Sequence, residues 1–110
     1  MTRLVAIESP YGGPERERNK RYLAACILDC VARGENPYAS HGFFTQVLDD
    51  DDPAQRELGI KLGLEWAAKA AARVVYVDLG ITPGMREGIA RAFVLGQTIE
   101  HRSLPDWSKS

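Results

Sequence analysis

The sequence predicts an α/β fold: three layers, with a small parallel sheet of four strands in the order 2-1-3-4 and helices on both faces. Three observations carry this. The runs Leu4-Val5-Ala6-Ile7 and Val74-Val75-Tyr76-Val77 are continuously apolar, as in strands buried on both faces. Segments of helical period stand between strand-like ones, so the elements alternate β-α-β-α-β-α-β. Right-handed crossovers then make 2-1-3-4 the simplest doubly wound arrangement.

Arg3–Glu8 is the first strand. Glu15–Arg33 is a helix by the period of Tyr22, Leu23, Cys26, Ile27, Cys30 and Val31, closed by Gly34 as C-cap. Asn36–Ala39 is a short strand, and Ser40–Asp52 reads as irregular. Pro53–Ala71 is the second helix, with Leu58, Leu62, Trp66 and Ala70 on one side. Asp52 at N-cap, Pro53 at N1 and Gln55 at N3 form a capping-box variant at its start. Arg73–Asp78 is the third strand, Pro83–Leu95 the third helix and Gln97–Arg102 the last strand. The tail, Ser103–Ser110, is polar except for Leu104 and Trp107. There is no internal repeat or low-complexity linker, and residues 1–110 read as a single domain.

A net charge of -1, with 26% charged and 45% hydrophobic residues, is ordinary for a soluble globular chain. It argues against a nucleic acid polymer or an anionic membrane as partner. No run approaches the roughly 18 apolar residues of a membrane span. The chain enters its first strand at Leu4, so the expectation is a cytoplasmic protein without a signal peptide. Cys26 and Cys30 share a helix face with Leu23, Ile27 and Val31, which suits two reduced core thiols. A metal pair would need further Cys or His at zinc-type spacing, and none is near. Asp49–Asp52 reads as a solvated acidic loop or, as the alternative, a set of oxygen ligands for a divalent cation, without the spacing and glycine of an EF-hand loop. Nothing calls for a cofactor or a metal.

In the predicted order the chain reverses direction between the first and third strands, and ligands bind in the crevice outside the carboxyl ends of strands at such a reversal. The loops there are Ser9–Pro14 and Leu79–Pro83, flanked by Ser40–Leu48. In the first, Gly12 and Gly13 permit a tight turn and close approach to a ligand. Tyr11 offers a stacking face and a hydroxyl, suited to a sugar or base; a purely structural turn is the alternative. No Gly-Lys-Ser/Thr follows, so this is not a P-loop, and Glu15 and Glu17 in the next helical turn would repel a phosphate. His41 follows the second strand at the crevice rim, where it either exchanges protons and hydrogen bonds or has no task. His101 ends the last strand and reads as incidental. Asp78 ends the third strand as a capping or a functional carboxylate, and Glu8 holds the matching place on the first. Glu87, in the third helix beside the same crevice, is either a nucleophile toward an anomeric carbon or a surface glutamate complementing the helix dipole.

These residues together resemble the nucleoside 2-deoxyribosyltransferase-like superfamily, and in particular its short bacterial and phage branch. The Ser9-Pro10-Tyr11 turn and the segment from Asp78 through Thr82-Pro83-Gly84-Met85 carry the likeness, which extends from Leu4 to about Arg102. The resemblance implies a flavodoxin-like sheet, oligomers with sites near subunit contacts, and cleavage or exchange of an N-glycosidic bond through a glutamate nucleophile. Tyr11 matches the tyrosine of the first loop, Asp78 the carboxylate after the third strand, and Gly84 and Ala92 the small residues of the next helix. The superfamily pattern Gly-Thr-x-x-Glu departs here: Met85 replaces the threonine, and Gly88 stands where the acid belongs. Glu87 is one residue early, about 100° around a helix.

The resulting expectation is an N-glycosidic bond hydrolase or deoxyribosyltransferase-like enzyme acting on a nucleoside or nucleotide. Glu87 is the expected nucleophile and Asp78 the group that holds or protonates the base. Ser9, Tyr11, Gly12, His41, Gly84 and Met85 are the expected substrate contacts, with Tyr11 orienting the ligand and His41 an auxiliary donor. The alternatives are a non-catalytic binder of a nucleotide-derived ligand and an interaction protein with a vestigial crevice. Leu64, Trp66, Phe93 and Val94, with so small a sheet, point to a homodimer or higher homo-oligomer.

Overall fold

The computed structural model describes residues 2–107. Four parallel strands, β1 (Leu4–Glu8), β2 (Asn36–Tyr38), β3 (Ala72–Tyr76) and β4 (Thr98–Arg102), form one sheet in the order β2-β1-β3-β4, as the sequence predicts. The register sets Val5 beside Ala72 and Glu8 beside Val75 across the central pair. On the outer pairs Leu4 lies beside Asn36 and Tyr76 beside Arg102. The helices are α1 (Arg16–Ala32), a short α2 (Ser40–Phe43) continued by a 3-10 turn at Phe44–Gln46, α3 (Pro53–Ala67) and α4 (Pro83–Val94).

Alternation along the central strands sorts the core. Val5 and Ile7 of β1 and Ala72, Val74 and Tyr76 of β3 cluster with Tyr22, Leu23, Cys26 and Cys30 of α1. Leu104 and Trp107, from the segment after β4, pack against the same cluster, and the Trp107 ring meets Tyr22 edge-on at 4.9 Å. The remaining tail positions, 108–110, lie outside the described residues. Both cysteines are free and buried, and burial pushes the Cys26 thiol upward, as befits inert core sulfur.

The alternate positions, Ala6, Glu8, Arg73 and Val75, point the other way. There Arg73 donates to the Gly88 carbonyl of α4 at 2.6 Å, and Gln97 Nε2 donates to the Ala67 and Ala70 carbonyls at the end of α3 at 2.8 and 3.0 Å. Asp52 caps α3, accepting from Ala54 N at 3.1 Å and from the Gln55 side chain at 2.9 Å. Gly34 follows the end of α1 with φ 80°.

One segment differs from expectation. Ser40–Gln46, read as irregular, is helical because α2 docks on α3 at Gly63, where a side-chain carbon would collide with Ser40. Boundaries shift as well: α3 stops at Ala67 rather than Ala71, β3 runs Ala72–Tyr76 rather than Arg73–Asp78, and the other expected elements differ by one residue at one or both ends.

Candidate functional site

A crevice of about 660 Å³ opens outside the carboxyl ends of β1, β2 and β3. Its walls are the Glu8–Glu15 loop, the start of α2 and the Thr82–Gly88 start of α4, with Asp50, Asp51 and Arg56 across the mouth. This is where a doubly wound sheet places its ligand, because the crossovers from β1 and β3 leave in opposite directions.

The first loop is tied from below. Asn19, buried in α1, donates to the carbonyls of Tyr11 and Gly12 at 3.0 and 3.3 Å. Ser9 Oγ and His41 Nε2 are 2.8 Å apart, and the Tyr11 ring meets the His41 ring edge-on at 5.8 Å. Burial holds His41 down at about 4, so the imidazole is neutral at pH 7 and presents one donor and one acceptor nitrogen. On the facing wall, Thr82 Oγ1 accepts from Met85 N at 3.2 Å and Met85 Sδ accepts from Thr82 N at 3.5 Å, a reciprocal cap that fixes the start of α4.

Ser9, Tyr11, Gly12, His41, Gly84, Met85 and Glu87 all line the crevice. Met85 is buried beneath the helix start, and Glu87 is exposed at the rim, without a hydrogen bond or ion pair among the described residues. Asp78 requires a correction, because it is not part of the crevice wall. Its carboxylate accepts from Tyr22 Oη at 2.6 Å and from Leu104 N at 3.0 and 3.2 Å, while its own N–H donates to Tyr22 Oη at 2.9 Å. The strand ends two residues earlier than expected, and the carboxylate turns toward α1 to anchor the segment after β4. Burial and the Asp78 bond both push the Tyr22 phenol up, so the donor stays protonated.

Sequence reasoning passed over Arg73, Asn19 and the pair Arg18 and Arg56 on the crevice wall. Arg73 is wholly buried and meets Glu8 at 3.1 Å. Its signal was present: a charge inside a strand otherwise apolar demands a buried partner, and Glu8 ends the neighbouring strand. Burial raises Glu8 to about 7, a shift that the charge of Arg73 and its hydrogen bond oppose.

Solved structures share this α/β fold. The chain is similar to a 2-deoxyribosyltransferase from the psychrotolerant bacterium Bacillus psychrosaccharolyticus, with a TM-score of 0.64 and 14% identity over 91% of this chain and 72% of that one. It is also similar to the Clostridium botulinum CMP N-glycosidase BcmB, with a TM-score of 0.54 and 14% identity over 91% and 71%. At that identity the likeness is one of fold. Residues 3–102 match the family described as a domain of unknown function, DUF7768, and the chain belongs to that family. No curated protein sequence matches it.

Proposed function

We propose that the crevice binds a nucleoside or nucleotide and that the protein cleaves or transfers at its N-glycosidic bond. The observation that carries this reading is the convergence, at the switch point of the sheet, of the Tyr11 ring, the Ser9–His41 pair and the carboxylates Glu8 and Glu87. Tyr11 packs on the base or sugar, and neutral His41 with Ser9 exchanges hydrogen bonds with it. Glu87 approaches the anomeric carbon from the rim as nucleophile. The folds of a 2-deoxyribosyltransferase and a CMP N-glycosidase support this chemistry. Arg18 and Arg56 also face the crevice, but Arg18 stands 4.0 Å from Glu15 and Arg56 3.7 Å from Asp50.

The test is release of free base from a panel of ribo- and deoxyribonucleosides and their 5′-monophosphates. The reading predicts release from at least one, abolished by Glu87→Gln. Tight calorimetric binding of one compound without release would leave a non-catalytic binder, which the exposed position of Glu87 favours as the second reading.

The same reading includes assembly. Phe93 and Val94 at the end of α4 are 79% and 77% exposed and Trp66 on α3 is 62% exposed, apolar side chains that suit a homodimer or higher homo-oligomer of a cytoplasmic protein.

A further inference from the structure

Glu8 differs from the other carboxylates around the crevice in being held by the fold. Its side chain is 18% exposed, against 26% for Asp50, 60% for Glu15 and 77% for Asp51, and it opens onto the crevice beside Ser9 with a wholly buried arginine as its partner. Behind it stands Arg73, with Nη1 at 3.1 Å. Arg73 also donates to the Gly88 carbonyl at 2.6 Å and to Gln97 Oε1 at 3.0 Å, so its hydrogen bonds do not depend on Glu8 alone. The helix α4 makes room for the carboxylate: a side-chain carbon at Gly88 would collide with it. A counterion for Arg73 would not need to face a cavity, nor would a helix need to give up a side chain to keep it there.

We propose that Glu8 is the acid–base group of bond cleavage in the crevice, a role that rests on reading the crevice as a site of N-glycosidic chemistry. Protonated Glu8 gives its proton to a nitrogen of the departing base. The bond from C1′ to the base breaks, its electron pair passes to the base, and a Glu87 carboxylate oxygen forms the new bond to C1′. Ionised Glu8 then takes a proton from water, whose oxygen bonds to C1′ as the bond to Glu87 breaks. Both carboxylates return to their starting states, and the net change is addition of water across the glycosidic bond.

A group that changes roles in this way works best with a pKa near the working pH, and burial brings Glu8 to about 7. Arg73 from β3 is the charge in contact with it. Glu87 from α4, neutral His41 from α2, Tyr11 and Glu15 from the first loop and, across the crevice, Arg18, Arg56 and the Asp50–Asp51 pair complete its ionisable surroundings.

The test compares first-turnover base release, the step before water enters, from a purine nucleoside and from its N7-methylated counterpart, whose base already carries a positive charge and departs neutral without a proton. Glu8→Gln should lose about 100-fold or more on the unmethylated substrate and stay within about threefold on the methylated one. In the wild type, the rate on the unmethylated substrate should fall as the pH rises above about 7 while the other rate does not. Equal losses on both substrates by a folded variant would show that Glu8 only supports Arg73, and full retention on both would show no role; either overturns the proposal. Should Glu8→Gln fail to fold, the wild-type comparison decides, and one pH profile for both substrates overturns the proposal. A wild type that cleaves the methylated but not the unmethylated nucleoside retains the crevice chemistry and overturns the acid. Cleavage of neither, nor of any other member of the base-release panel, overturns both.

Discussion

At the scale of single residues, the crevice depends on a pairing that spans most of the chain. Glu8 and Arg73 meet because β1 and β3 are neighbours, and Gly88 leaves room for the carboxylate. Gly88→Ala should displace Glu8 and overfill the contact, costing about 1–3 kcal/mol in chemical denaturation. The ionisation of Glu8 has a defined sign. Its folded value of about 7 lies above the ordinary 4.5, so the folded protein binds the proton more tightly. That stability is full below about 4.5 and is lost as the pH rises through about 7. His41 has the opposite sign, because its folded value of about 4 lies below 6.5 and its contribution is lost on acidification between those values. Between pH 6.5 and 8 the Glu8 effect therefore stands apart, and urea unfolding there should show stability falling in the wild type and flatter in Glu8→Gln. The legible part of the site was its loops: Ser9, Tyr11, Gly12 and His41 follow from where strands end and glycines cluster. The direction of Asp78 was not legible, since it depends on where β3 ends and on a tyrosine 56 residues away in sequence. The resemblance places its acid at position 88, and in the fold the carboxylate lying against that position comes instead from Glu8 on β1.

At the scale of elements, two polar clamps hold the far edges of the sheet. Arg102 at the end of β4 makes a two-pronged pair with Glu35, just before β2, at 2.7 and 2.8 Å, with Glu100 at 3.1 Å. The two side chains are 4% and 9% exposed. Hydrogen bonding to Arg102 first, then Arg3, holds Glu35 down at about 2 despite its burial. This contribution is present above about 4.5 and lost as the pH falls through about 2. Arg102→Leu should cost about 3–5 kcal/mol, because it leaves the Glu35 charge buried with a single partner, Arg3. The second clamp is Tyr22–Asp78–Leu104. Tyr22→Phe should cost about 1–3 kcal/mol and expose Trp107, readable as a red shift in its fluorescence, while leaving ligand binding in the crevice intact. Long periodic helices and continuous apolar strands made these elements legible from sequence. Residues 40–46 were not, because a four-residue helix and a three-residue turn never complete a hydrophobic period. Their structure comes from the docking of Ser40 on Gly63.

At the scale of the whole molecule, the order β2-β1-β3-β4 was legible because chain order and crossover handedness together leave few alternatives. That order alone brings residues 9–13 and 82–88 to one crevice. The apolar surface at Trp66, Phe93 and Val94 belongs to the same scale, and sedimentation should give at least twice the 12.2 kDa chain mass, reduced by Phe93→Glu; a wild-type monomer would overturn the assembly. The proposed function requires that this crevice hold a nucleoside or nucleotide. The most direct measurement is a map of backbone amide shifts on titration with the nucleosides and monophosphates of the base-release panel. A ligand held in the crevice shifts amides concentrated at Ser9–Gly13, His41 and Thr82–Gly88, and Tyr11→Ala weakens those shifts. Shifts confined to the outer groove between α3 and α4, around Lys61 and Arg91, or none with any compound, would contradict the proposed function.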